Sequence, residues 1–421
     1  MTERTDVVVV GAGGGGAVLG LALAQQGIRT LVLEQAPGPP GGLRGEILQP
    51  NGQRVLDQLG LLDKLPKKAV REVRLFHFLR SGGTRLCTVD YDMLPAPYNR
   101  AVVTLPNVAH HVILDAYDAA APGCLRYGSC FKGLRRNGAR VTGVLAERQG
   151  QAVEIEAALV VGADGARSKV REALGIPGAL HLYDEAYLIG LVDQAEPLED
   201  SHYYVGRGEI LGVFPAAEQK AYFFLMIRAG GYEAVKAAGL PALRQQLTRI
   251  APSLERTFRR LGDWAQTAYM PTGRVRTPRW VADGALLIGD AAHAMNPHAS
   301  QGRMQAMVDA MTVAELAPGW LSTGDCSAAA LAEFERRRRP QVTMLQQLAD
   351  EQVVFWNSGN PLLTWVRDRV FRTLDGNRRL RYRVLETTAG LRADPPFGLW
   401  DRVVAGGFVP DPSRESVVGR S

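Results

Sequence analysis

Four consecutive valines, Val7 to Val10, run directly into Gly11-Ala12-Gly13-Gly14-Gly15-Gly16, and this junction narrows the folds open to the chain more than any other feature. A continuous β-branched run marks a strand buried on both faces of a parallel sheet. The small-residue segment that follows, through Leu19, Leu21 and Leu23 to Gln26, reads as a helix stopped by Gly27. Thr30 to Leu33 is then a second strand, ending at Glu34 and Gln35. The three pieces make one βαβ unit. Gly11-x-Gly13-x-x-Gly16 therefore lies between a strand and a helix, the context in which this spacing holds a dinucleotide. Gly11 permits the tight turn, Gly13 lets the backbone approach a pyrophosphate, and Gly16 lets the helix pack closely on the strand. The phosphates would sit at the helix start, where the dipole favours them. Glu34 is placed to accept from ribose hydroxyls and would repel a 2′-phosphate, so FAD or NAD is expected there rather than NADP.

Two later segments also look like sheet strands with functional tips. Ala158 to Val161 leads into Gly162-Ala163-Asp164-Gly165, and Ala285 to Ile288 leads into Gly289-Asp290. Between them lie alternating stretches: Val73, Leu75, Phe76, Phe78 and Leu79; Tyr203 to Val205; Ile210 to Phe214; Ala221 to Ile227. Alternation predicts a half-exposed antiparallel sheet belonging to a second domain inserted into the first at two points. A chain of 421 residues is long enough for this, since single cores seldom exceed roughly 250–300 residues.

The strand tips carry a family resemblance. Asp164-Gly165-Ala166-Arg167-Ser168-Lys169-Val170-Arg171 and Gly289-Asp290-Ala291-Ala292-His293-Ala294-Met295-Asn296-Pro297 resemble the DG and GD motifs of class A FAD-dependent monooxygenases, the family of the para-hydroxybenzoate hydroxylase fold. Arg44 to Gly52, with Leu56 and Leu59-Gly60-Leu61, is similar to a segment of members acting on quinones, quinolones and polyketides. The resemblance implies an α/β fold: a Rossmann-type FAD-binding domain (residues 1–72, 101–182 and 272–340), an inserted antiparallel-sheet substrate domain (73–100 and 183–271), and a C-terminal helical region (341–421). It implies that Asp290 bonds the flavin ribitol, that Arg44 contacts the FAD backbone, and that Asp164 and Gly165 brace the pyrophosphate. Pro297, Ser300, Gln301, Gly302 and Arg303 would face the flavin, with N–H groups of the helix starting at Gln301-Gly302 aimed at its N1–C2=O edge. A positive helix end there would stabilise the charge gained on reduction. The pattern departs from the family's usual G-Q-G-x-N at Ser300 and Met304.

The implied activity is insertion of one oxygen atom from O2 into a small, hydrophobic aromatic substrate, by hydroxylation or epoxidation. NADH or NADPH would reduce FAD, bind transiently and leave, and a flavin C4a-hydroperoxide would deliver the atom. His298 reads either as a group that bonds the substrate and polarises its hydroxyl or as a packing histidine; His293 reads as structural. Phe214, Tyr222 and Phe224 are candidate substrate-pocket residues that core packing would explain nearly as well. An FAD-dependent reductase of isoprenoid double bonds keeps the same motifs and stands as the alternative. A flavin halogenase is disfavoured, because none of the six tryptophans forms its W-x-W-x-I-P element.

Composition excludes other classes. A formal charge of +6 without a basic–aromatic stripe argues against nucleic acid. The basic run Arg336 to Arg339 reads as the last turn of a helix ended by Pro340. Four cysteines without metal-ligand spacing fit a reducing cytoplasm, and no metal is expected. Leu363, Val366, Val370, Phe371 and Leu374 recur at helical spacing with Arg367, Arg369 and Arg372 between them. Such a helix can touch a membrane, though packing on its own protein is favoured. A monomer or homodimer is expected, and the Ala-, Arg- and Gly-rich composition suggests bacterial specialised metabolism.

Overall fold

The computed structural model describes residues 2–43 and 46–413; Arg44, an expected cofactor contact, lies outside the described residues. The four valines fall in a nine-residue strand, Thr2–Val10. It runs parallel to Gln151–Gly162 on one side and Thr30–Leu33 on the other, with Val7 opposite both Leu159 and Thr30. Each valine is at most 5% exposed, which explains why the run is apolar without alternation. Leu125–Arg126 extends the parallel order beyond Thr30–Leu33, and Ala285–Leu287 extends it beyond Gln151–Gly162. Because three neighbouring strands point the same way, Gly11, Ala163-Asp164 and Gly289-Asp290 emerge side by side at one sheet edge. Open α/β sheets place their ligands at the carboxyl ends of such strands. Helix Gly14–Gln25 is buried from Gly15 through Leu23, packed among the sheet and helices Val108–Ala120 and Gly302–Thr323. Only small and aliphatic side chains suit a helix covered all round.

The alternating stretches join one seven-stranded sheet, in the order Thr267–Arg274, His181–Asp193, Lys220–Arg228, Ile210–Ala216, Ser201–Val205, Leu75–Arg80, Arg85–Asp90. One pair in it, Ser201–Val205 with Leu75–Arg80, is parallel. The sheet is not half exposed as its alternation predicts, for Ile210–Ala216 is buried at every position. Alternate residues enter two different cores. Leu211, Val213, Phe223 and Leu225 face Leu243, Leu247 and Ile250 of the helix Tyr232–Ile250. Phe214, Tyr222, Tyr203 and Tyr187 face Phe371, Leu374, Leu380 and Leu385 from the C-terminal helices. Val73 is also displaced from the predicted sheet, lying in a separate three-stranded one with Glu46–Leu48 and Ala101–Thr104.

A second correction concerns Pro340, which does not end its helix: Ala328–Trp356 continues through it. An interior proline costs about 3 kcal/mol. Burial of Leu331, Phe334, Val342 and Leu345 on both sides of it, at roughly 1.5–3 kcal/mol per side chain, outweighs that cost. The arginines before it serve separate ion pairs: Arg337 with Glu315 and Glu333, Arg338 with Asp309, Arg339 with Glu335. The helix Pro361–Gly376 packs Phe371 and Leu374 inward, buries Arg367 on Asp368, and leaves Leu362 and Trp365 exposed. Among the described residues, no helix is long and apolar enough to cross a membrane.

Candidate functional site

The glycine turn has the shape its sequence demands. Gly11 holds φ +103°, and a Cβ there would lie 2.4 Å from the Ala163 carbonyl oxygen. A Cβ on Gly16 would lie 1.9 Å from the Gly11 carbonyl oxygen, so helix and turn touch. A Cβ on Gly13 meets nothing within 4 Å, so the backbone there faces open space. No side chain caps the helix that begins at Gly14. Glu34 accepts from the Ala12 N–H at 2.9 Å and the Ala36 N–H at 2.8 Å, which fixes its carboxylate at the mouth of the turn beside exposed Gln35. The Arg303 side chain lies across Gly14.

Asp164 caps the short helix after its turn, accepting from Ser168 Oγ (2.5 Å), the Lys169 N–H (2.7 Å) and the Val170 N–H (3.1 Å). Gly165 follows at φ +82°. Arg171 ties this turn to the next, donating to the Ala291 carbonyl at 2.8 Å and the Ala166 carbonyl at 2.9 Å. Gly289 is held from below, since its N–H donates to Asp309 Oδ2 at 2.9 Å, and Asp290 is exposed at the tip. Asp309 also binds His293 Nε2 at 2.6 Å and Arg338 Nε at 2.8 Å. Burial alone would raise the Asp309 carboxyl, yet His293 and Arg338 together hold it below the usual carboxylate range. Arg338 donates onward to Gln305, which donates to Gln301 at 2.9 Å, and Gln301 accepts from Asn51 at 2.9 Å. Gln301, Gln305 and Asp309 stand four residues apart on one helix face, so the chain of bonds follows the helix axis. The sequence reading placed His293 as structural but missed Asp309, Arg338 and the linking role of Arg171.

Beyond Met295 the chain turns through Pro297–Ala299 to Ser300, which adopts φ +53°. A non-glycine residue there is strained, and the Ser300 side chain lies near the Tyr203 hydroxyl of the inserted sheet. Met304, the other departure from the family pattern, is 2% exposed with its sulfur packed against Gly52. It is a contact between helices Pro50–Gln58 and Gly302–Thr323, not a group facing the site. His298 is buried, and burial pushes its imidazole down to about 4, so it is neutral at pH 7. Its ring lies 5.4 Å from Trp356 and 6.3 Å from Tyr187. Tyr187 meets Phe224 at 5.2 Å, Phe224 meets Phe214 at 5.7 Å, and Phe214 stands 6.2 Å from its cross-strand partner Tyr222. Phe224 is thus one ring removed from His298, while Phe214 and Tyr222 lie farther back in the wall. Tyr187, Trp356 and Asn357 were missed in sequence. The break Asn357-Ser358-Gly359-Asn360 after the apolar helix end Val353-Val354-Phe355-Trp356 was the available signal.

A model of the FAD binding domain family matches residues 4–349. Over 346 residues the chain is 31% identical to 6-methylpretetramide 4-monooxygenase of Streptomyces rimosus, covering 80% of this chain and 81% of that protein. The chain is a class A FAD-dependent monooxygenase. A digeranylgeranylglycerophospholipid reductase of Methanothrix thermoacetophila is 28% identical over 354 residues, 80% of the monooxygenase and 84% of the reductase. PqsL of P. aeruginosa, in complex with 2-aminobenzoylacetate, shares the fold with a TM-score of 0.75 at 23% identity, over 86% of this chain and 99% of PqsL. The monooxygenase's own residues fit FAD: an open backbone at Gly13, an uncapped helix start behind it, and the Glu34 carboxylate fixed beside both.

Proposed function

We propose that this monooxygenase inserts one oxygen atom from O2 into a largely apolar aromatic or polycyclic molecule, by hydroxylation or epoxidation, in bacterial specialised metabolism. The observation that carries this reading is the run of aromatic rings, Phe214, Phe224, Tyr187 and Trp356, converging on His298 next to Pro297. Such a wall suits a flat, apolar ligand and keeps water from the reacting centre. The polycyclic substrate in the name of the Streptomyces rimosus relative supports it.

FAD, reduced by NADH or NADPH, supplies the activated oxygen when bound. In this reading Gly11, Gly13 and Gly16 with the helix start hold its pyrophosphate, and Glu34 with Gln35 its ribose. Asp164, Gly165 and Arg44 brace the phosphates and the linking chain. Gly289 and Asp290 hold the ribitol, while Pro297, Ser300, Gln301, Gly302 and Arg303 border the flavin ring. Neutral His298 can accept a hydrogen bond from a substrate hydroxyl at Nε2, which raises electron density on the ring to be oxidised.

The test is the visible spectrum of the purified protein, followed by NAD(P)H and O2 consumption with phenols, quinolones and polycyclic aromatics. Bound flavin with consumption of both, stimulated by an aromatic ligand, is the expected result. Turnover of NAD(P)H without O2 would move the assignment to the reductase reading, and a colourless protein would remove its basis.

A further inference from the structure

Polar atoms stranded among the aromatic rings describe the ligand more closely than the rings do. His298 Nε2, the Tyr187 hydroxyl, and both polar side-chain atoms of Asn357 are buried without a well-formed hydrogen bond. They come from three separate elements: the turn after Pro297, the strand His181–Asp193, and the end of the helix Ala328–Trp356. Tyr187 and His298 meet edge to face, and Trp356, the neighbour of Asn357, lies against His298. Asn357 approaches both His298 and Glu185 closely enough to act on them, without directed bonds that would satisfy its amide. Buried groups left in this state are a cost to the fold, and several on one spot are the mark of a ligand's polar atoms.

The charge at this end of the wall narrows the choice. Glu185 stands two residues before Tyr187 and accepts from Asn296 at 3.3 Å. Burial raises its carboxyl above the ordinary value. The cation behind Trp356, Arg367, is spent on Asp368 and on the carbonyls of Gly206 and Trp356. A carboxylate entering here would lose its water, meet another carboxyl, and find Arg367 already paired. Hydroxyl, carbonyl and carboxamide groups would find donors and acceptors already placed.

We infer that His298, Tyr187 and Asn357 read a neutral polar edge of the substrate, phenolic or enolic hydroxyls beside a carbonyl or carboxamide, and that aromatics bearing a carboxylate at that edge are rejected. This rests on the aromatic-substrate reading above and adds a charge rule to it.

The test is calorimetric titration of the oxidised holoenzyme at neutral pH with a hydroxynaphthamide and the matching hydroxynaphthoate, which differ in charge and scarcely in shape. The amide should bind at least about tenfold tighter. Tyr187→Phe and Asn357→Leu, each checked for full flavin content, should narrow the ratio to within about threefold. Equal or tighter binding of the naphthoate, or no binding of either ligand, would overturn the inference. Incubation with NAD(P)H and O2 separates it from the parent reading. Oxygenation of both ligands without preference sinks only the charge rule, whereas preference without oxygenation sinks only the monooxygenation of such rings.

Discussion

A Cβ on Gly13 would meet nothing within 4 Å, while one on Gly16 would lie 1.9 Å from the Gly11 carbonyl oxygen. The two glycines should therefore fail differently. Gly13→Val is expected to fold and melt cooperatively yet lose at least about nine-tenths of its flavin, because its side chain fills only the space a pyrophosphate needs. Gly16→Ala should destabilise the fold itself by about 1–3 kcal/mol through overpacking. Absorbance ratios and thermal melts check both, and a fully yellow Gly13→Val protein would contradict the assignment. His298 gives a pH dependence. Its imidazole titrates near 6.5 when unfolded and is pushed by burial to about 4 when folded, so between these values the unfolded state binds the extra proton. Stability should therefore fall as pH drops through that window, on the order of 3 kcal/mol in all. His298→Gln should lose that part of the slope, and identical melting profiles at pH 7 and pH 5 for both proteins would refute the burial argument.

Among the elements, the helix Gly302–Thr323 links the site to the rest of the molecule through Gln301, Gln305 and Asp309. Asp309→Ala would leave Arg338, at 5% exposure, uncompensated. The expected cost is about 3–5 kcal/mol, and Asp309→Leu combined with Arg338→Met should recover much of it. Urea denaturation of the two single variants and the double variant measures this, and additive losses would show that the pair does not act as a unit. This network could not be read from the sequence, because Asp309 meets partners 16 and 29 residues away that no local pattern connects. The glycine turn was legible for the opposite reason: strand, turn and helix are contiguous, and Gly11 and Gly16 answer to contacts within their own βαβ unit or at the tip of the neighbouring strand, while Gly13 faces open space. Pro340 misled because local propensity ends a helix there while packing on both sides carries it through.

At the scale of the whole molecule, the parallel sheet was legible from apolar runs ending in Gly-Asp or Asp-Gly. The inserted sheet was legible only as strands. Its second buried face depends on Phe371, Leu374 and Leu385, supplied by helices some 150 residues further on. Those helices are tied to the site as well: Gln301 donates to the Thr388 carbonyl at 2.7 Å, and the Asn51 N–H donates to the Ala389 carbonyl at 3.2 Å. Truncation after Asn377 should therefore yield aggregated or flavin-poor protein, measured by soluble yield and absorbance. Soluble, fully yellow truncated protein would show that the C-terminal helices are dispensable. The central claim, oxygen insertion by an FAD enzyme, is tested most directly by turnover with isotope-labelled O2, NAD(P)H and a neutral polycyclic phenol, followed by mass analysis of the product. One labelled oxygen atom per product molecule is predicted; a product that is reduced, or oxygenated with an atom from water, would contradict it.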